Sequence, residues 1–278
     1  MATRTEPAPT GPPFGQLLRG WRVERKLSQL DVAGDAGMSQ RHLSFLETGR
    51  ARPSRQSILR LAECLDVPLR DRNLWLGAAG FAPAYGEQSL DADGMALFRQ
   101  TIETLLSHHE PYPALLLDER WNLVQTNSAA LRFFGLFIDP VGVWSDIGSP
   151  ERFQIIRLCL HERGLAPYVE NWDEVIYAFL TRARRALSRT PTDTHLAELI
   201  EEIERHPAAP EYFKSSGRLT YEPVLPMKLA KGKVRASLFT MITSFGTAQD
   251  ITLQALHVET SFPADEETEG LLRALAED

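Results

Sequence analysis

At 278 residues, 43% hydrophobic and 24% charged, the chain is long for one compact domain and too apolar to be mostly disordered. No stretch approaches the ~18 consecutive apolar residues of a membrane span, and the opening MATRTEPAPTGPP lacks the apolar centre of a signal peptide. Two cysteines, Cys64 and Cys159, form no spaced pair, which excludes a disulfide scaffold or zinc ribbon and predicts a cytoplasmic protein.

The net charge of −7 hides a partition. Residues 1–80 carry 12 Lys/Arg against 8 Asp/Glu, and residues 81–278 carry 18 against 29. A basic module joined to an acidic one is predicted.

Residues 1–13 read as a flexible leader, and residues 14–80 as five short helices. The first spans about 14–26, with Leu17, Leu18, Trp21 and Arg25 at helical spacing. Ser28 caps the second, with Asp31 completing a capping box. Gly37-Met38 turns the chain, Ser39 caps a third helix reaching Glu47, and Gly49 ends it. After the loop 50–54 come helices at about 56–65 and 70–79. On a helical projection of the third helix, Leu43 and Leu46 share one face. Gln40, Arg41, Ser44, Phe45 and Thr48 occupy the other. Gln suits adenine, Arg suits guanine, and Phe can meet a thymine methyl. With the cap Ser39 these form the candidate reading set. Gln29, Arg50, Arg52 and Ser54 are the candidate phosphate contacts. The plainer reading makes the exposed residues solvated and Phe45 a packing residue.

Ser28-Gln29-x-x-x-Ala33, Ala36-Gly37-Met38-Ser39, Leu43-Ser44-x-Leu46-Glu47-x-Gly49-Arg50 and Pro53-Ser54 resemble the XRE/Cro-like, λ-repressor-type helix-turn-helix. The resemblance implies that Gln29 clamps a phosphate while Gln40, Arg41 and Ser44 read bases of double-stranded DNA. It also implies an Arg22–Glu47 ion pair bracing the recognition helix.

Residues 81–94 read as a linker, 95–262 as a second domain and 263–278 as an acidic tail with a short helix. In the second domain, residues 95–108 read as an amphipathic helix. Two apolar runs around Glu119-Arg120 read as a β-hairpin, and Asn127 or Ser128 caps a helix over 129–134. Helices follow near 150–161, 172–188 and 194–206. The region 219–258 reads as strands, notably 236–244 and 251–257. His108-His109-Glu110 and His161-Glu162 lack the i, i+4 histidine spacing of a zincin, and no phosphate loop or nucleophile elbow occurs, so no catalytic residue, metal or obligatory cofactor is predicted. Trp121, Asn127, Phe134, Trp144, Phe179 and Met241 are candidate walls of an apolar pocket, each also explicable as ordinary core. An acyl carboxylate would want an arginine, and Arg132 and Arg157 are the candidates.

Leu117-Asp118-x-x-Trp121-Asn122-Leu123-Val124-x-x-Asn127-x-Ala129-Ala130 is similar to the opening of a PAS-like sensor. With Tyr112-Pro113-Ala114, Trp172-Asp173-Glu174 and the segment 240–253, the second half resembles MmyB-like regulators. That resemblance implies a mainly α protein with a smaller α+β part: a five-helix DNA-binding bundle, then an antiparallel sheet with surrounding helices. It also implies a bound fatty acid or similar apolar effector. The expected protein is a non-enzymatic, homodimeric regulator of a palindromic operator, without membrane attachment. Two alternatives stay open: a second domain that serves only dimerisation or protein interaction, and an enzyme with an autoregulatory DNA-binding head.

Overall fold

The computed structural model describes residues 13–139, 143, 154–190, 193–209 and 224–277. The chain divides into two compact units. One comprises Met1–Gln88 with Thr247–Gln254, the other Ser89–Gly246 with Ala255–Asp278.

The first unit holds α1 (Phe14–Glu24), α2 (Gln29–Asp35), α3 (Gln40–Glu47), α4 (Arg55–Cys64) and α5 (Leu69–Ala78). The caps at Ser28 and Ser39 follow the sequence signals, and Ser54, read as loop, proves to be a third. Ser28 and Asp31 close a reciprocal capping box on α2, and the hydroxyls of Ser39 and Ser54 accept from His42 and Ser57 backbone N–H groups. Gly37 and Gly49, at φ +62° and +72°, take the left-handed turns between helices. Leu18, Trp21, Val32, Leu43, Leu46, Ile58, Leu61, Trp75 and Leu76 build the core, where Phe14 meets Trp75 edge-on at 5.6 Å. At Gly15 the helices come so close that an added Cβ would lie 2.5 Å from the carbonyl oxygens of Leu46 and Glu47.

Residues 81–88, expected as linker, belong to this unit. The Asn73 amide accepts from Ala84 and Tyr85 N–H groups and donates to the Tyr85 carbonyl. Beyond this lies a segment remote in sequence. Gly86 pairs with Asp250 in an isolated parallel bridge, Ile251 N–H donates to the Gly86 carbonyl, and Asp250 accepts from Gln88 N–H. Pro68 precedes α5 and offers no side-chain cap. Gln254 Oε1 instead accepts from Leu69 N–H at 2.6 Å, satisfying one of the orphan donors of a helix start.

The second unit is an antiparallel five-stranded sheet with helices against both faces, the PAS-like arrangement. Its elements are α6 (Ala96–His108), β1 (Ala114–Leu117), β2 (Leu123–Thr126), α7 (Ser128–Phe137), α8 (Ile155–Leu160), α9 (Trp172–Arg189) and α10 (Thr194–Glu204). They are followed by β3 (Met227–Lys231), β4 (Val234–Ser244), β5 (His257–Pro263) and α12 (Glu266–Glu277). The short helix α11 (Ile251–Ala255) precedes β5. Strand order is β2–β1–β5–β4–β3. Directly opposed residues share a face, so the rows Leu115–Glu259–Ile242 and Leu117–His257–Ser244 lie on one side, which we call inner. Leu115, Leu117, Ala236 and Leu238 join the main core there, with Phe133, Phe137, Ile176, Phe179 and Leu199. Ala114, Leu116 and Val258 point the other way, onto Ile102 and Leu106 of α6.

Two elements differ from expectation. Residues 251–255, predicted as strand from Ile-Thr-Leu, form α11, because Asp250 Oδ1 accepts from Thr252 N–H and starts a helical turn. The terminal helix is no free tail: Thr268 and Leu272 of α12 are buried, and Thr268 Oγ1 accepts from Ser237 N–H of β4.

Candidate functional site

Helix α3 is held from behind and open in front. Leu43 and Leu46 are fully buried, while Gln40 and Arg41 are exposed and Ser44 and Phe45 half-buried. The side chains of Gln40, Arg50 and Arg52 bind no described residue. The Arg41 guanidinium stands 5.3 Å from the Phe45 ring, a cation–π contact that groups the two on the exposed ridge. Thr48, the C-cap, turns its hydroxyl back to the Ser44 carbonyl at 2.8 Å. Ser39 uses its hydroxyl as a cap, which still leaves an oxygen lone pair, whereas the Ser54 hydroxyl caps α4 and also bonds the Ser57 hydroxyl at 2.8 Å. Thus Gln40, Arg41, Ser44 and Phe45 form one compact patch, with the cap Ser39 opening the helix and Arg50, Arg52 and Ser54 in the segment after it.

Behind the ridge, Arg22 grips Glu47 with two bonds, Nε to Oε1 at 2.6 Å and Nη2 to Oε2 at 3.0 Å. Side-chain exposure is 13% and 3%, so this is the buried brace the resemblance implies. The Arg22 Nη1 also donates to the Leu27 carbonyl at 2.9 Å, tying α1, the turn before α2 and α3 together. Gln29 Nε2 donates to Glu47 Oε2 at 2.8 Å, which fixes the amide beside the start of α2. Burial opposes the Glu47 charge. The hydrogen bonds from Arg22 and Gln29, with the Arg22 charge, outweigh it and hold the carboxyl below its usual range.

In the second unit the expected pocket residues divide. Asn127 is buried and fully occupied: Oδ1 accepts from Ala114 and Ala130 N–H groups, and Nδ2 donates to the Leu106 and Tyr112 carbonyls. Arg132 pairs with Glu110 at 2.9 Å, and Arg157 makes a two-bond pair with Glu202 at 2.8 and 2.7 Å. Met241 lies on the outer face, opposite Thr260, away from Trp121 and Phe179. Phe134 is half-buried beside Phe133, and Trp144 lies outside the described residues.

Trp121 and Phe179 are both buried in the core, and a polar cluster surrounds the indole. The Arg182 guanidinium of α9 stands 5.5 Å from the indole ring, and its Nη2 donates to Glu259 Oε1. His257 Nε2 lies 3.5 Å from the same oxygen and meets the indole edge-on at 6.3 Å. Burial opposes the Glu259 charge, but His257 and Arg182 hold that carboxyl below its ordinary range. Cys159 is buried nearby, and desolvation together with the Glu259 charge pushes its thiol up to about 12. Sequence reading missed Arg182, His257 and Glu259. One signal was available: Arg182 falls in register with Val175 and Phe179 on the apolar stripe of α9. Among the described residues, no group of three His, Cys, Asp or Glu side chains could hold a metal ion. None of the described helices is long and apolar enough to cross a membrane.

A helix-turn-helix bundle with an open recognition ridge, followed by a PAS-like unit, defines a DNA-binding transcription regulator. Residues 13–75 match the helix-turn-helix domain family, and residues 98–275 match the MmyB-like transcription regulator ligand-binding domain. The second match covers more than half of the chain, which therefore belongs to the MmyB-like transcription regulators. The chain is 32% identical over 111 residues, 39% of its length, to an uncharacterised HTH-type transcriptional regulator of Bacillus subtilis, RghRB, spanning 78% of that protein. It is 36% identical over 59 residues, 21% of its length, to the ImmF control region 10 kDa protein of Bacillus phage phi105, spanning 66% of it. Among solved structures, an RNA-binding light-oxygen-voltage receptor aligns with 95% of this chain and 63% of its own, at 11% identity and a TM-score of 0.25.

Proposed function

We propose that the protein is a cytoplasmic, ligand-responsive regulator that binds a palindromic operator in double-stranded DNA as a homodimer. Helix α3 enters the major groove, Gln40, Arg41 and Ser44 meet base edges, and Gln29, Arg50, Arg52 and Ser54 hold phosphates. Two recognition helices sit on half-sites roughly 34 Å apart or a multiple of that distance. A small apolar effector of the fatty-acid or acyl type binds the PAS-like unit and favours one arrangement of the dimer over the other, with no chemical conversion.

The observation that carries the reading is the split character of α3. Its inner face is locked by buried leucines and the Arg22–Glu47 brace, while Gln40 and Arg41 stand exposed with no ion pair to a described residue. Selection from a random double-stranded oligonucleotide pool tests it. Enrichment of one palindrome is expected, and a pool that stays random refutes the sequence-specific reading. With the selected site, Arg41→Ala should lose about 1–3 kcal/mol at one base position. Arg50→Ala should weaken all sequences alike and reduce the salt dependence. Native mass spectrometry of protein taken directly from cells tests the effector, since a retained apolar molecule would add its own mass.

A further inference from the structure

The polar cluster around Trp121 carries two donors that its structural role leaves unused. The Trp121 Nε1–H and the Arg182 Nε–H are both buried, and neither has an acceptor among the described residues; Trp75 Nε1 and Arg132 Nε are unpaired as well, but only here do two such groups share one cluster. Buried N–H groups are almost always paired in folded proteins, and two unpaired ones in a single cluster mark a place for an oxygen supplied from outside. Trp121 is only 5% exposed and is held there at a backbone φ of +60°, a conformation foreign to a bulky side chain. The turn enforces it: Asp118 Oδ1 accepts from Arg120 and Asn122 N–H groups, and Trp121 N–H donates to the Asp118 carbonyl. An outlier of this kind points to a functional constraint on the indole.

The charges of the cluster state what the oxygen belongs to. Arg182 is already neutralised by Glu259, which also faces His257. A carboxylate guest would sit beside the Glu259 carboxylate with little water to screen the repulsion. A neutral carbonyl offers two lone pairs to the two donors and adds no charge.

An exposed stretch of the inner sheet face adjoins the cluster. Directly across from Glu259, on the same inner face, lies Ile242, which is 51% exposed. Thr240, next on that face, is exposed too, and only at Leu238 and Ala236 does the face close into the core.

We infer that this cluster is the head-group site of the effector, and that it takes an uncharged acyl compound, its carbonyl oxygen accepting from Trp121 and Arg182 and its tail lying over Ile242 and Thr240. This assignment rests on the ligand-sensing reading of the PAS-like unit and narrows it, from fatty-acid or acyl compounds to the uncharged ones, the esters, amides or ketones of fatty chains.

Equilibrium dialysis of the full chain against methyl decanoate, decanoate and decane tests it. The ester should bind most tightly of the three. Trp121→Phe keeps the aromatic ring and removes the N–H, and it should weaken the ester about five- to tenfold while leaving decane unchanged. Arg182→Lys keeps the pair with Glu259, removes Nε–H, and should do the same. If Trp121→Phe also loses decane, its pocket has collapsed and Arg182→Lys decides. Tighter binding of decanoate than of the ester, or full ester affinity in the deciding variant, overturns the assignment. Equal binding of ester and decane overturns the head-group site but leaves an apolar pocket. Binding of none of the three overturns the ligand-sensing reading itself, and this site with it.

Discussion

Glu47→Ala removes the acceptor at which Arg22 and Gln29 converge, and its effect follows from the geometry. Three donor contacts at 2.6, 3.0 and 2.8 Å end on this one carboxylate, which is 3% exposed. Breaking a buried pair from one side strands the other charge and costs about 3–5 kcal/mol. An exposed pair would cost about 0–1 kcal/mol. At about 1.4 kcal/mol per factor of ten, the open population of α3 should rise by roughly two to three and a half powers of ten. Hydrogen–deuterium exchange of the peptide covering 40–47, within the full chain, reads this directly. Arg22→Leu combined with Glu47→Leu should recover most of the loss, since a hydrophobic replacement of both partners is often neutral or better. A single-variant loss under about 1 kcal/mol would refute the buried-brace reasoning. The pH dependence has a fixed sign. The folded-state pKa of Glu47 lies below its unfolded value, so its contribution is complete above the unfolded carboxylate range. It is lost as pH falls through the folded value, and protection of α3 should decline on the acid side.

Gly15→Ala should destabilise the DNA-binding unit by about 1–3 kcal/mol, because the new methyl meets backbone oxygens of Leu46 and Glu47 that cannot swing aside; exchange in α1 and α3 measures it. Asn127→Ala leaves the Ala114 and Ala130 N–H groups and the Tyr112 carbonyl without this partner, while the Leu106 carbonyl keeps its bond from His109 N–H, and should cost at least about 2 kcal/mol in urea unfolding of the second unit; near-neutral behaviour would show the four bonds to be dispensable. With its thiol pushed up to about 12 and its side chain buried, Cys159 should resist iodoacetamide in mildly alkaline buffer and react only after unfolding, as peptide mapping would show.

The local grammar of this chain was legible, and its long-range pairings were not. Ser28, Ser39 and Asn127 announced helix starts because a cap bonds a residue two or three positions away. The exposed ridge of α3 followed from helical spacing alone. The hairpin at Trp121 was equally readable, yet its indole's neighbours were not. Arg182 and Glu259 stand 77 residues apart, and nothing local in either segment announces the other. The same holds for Gln254 at the start of α5, 185 residues from its partner. Residues 251–255 misled because β-branched residues favour strands, whereas Asp250 and the Gly86 backbone fix a different outcome. Arg132 and Arg157 stood out as cations for a ligand, but Glu110 and Glu202 had already claimed them.

The return of Thr247–Gln254 to the first unit bears on how this protein can be dissected. The polypeptide passes between the units three times, after Gln88, after Gly246 and after Gln254, rather than once through a single tether. A fragment ending at Gln88 would therefore lack the piece that caps α5 and pairs with Gly86, and its DNA affinity would not stand for that of the whole. Transplanting the reading head onto a different sensor would fail for the same reason unless that short return segment travelled with it.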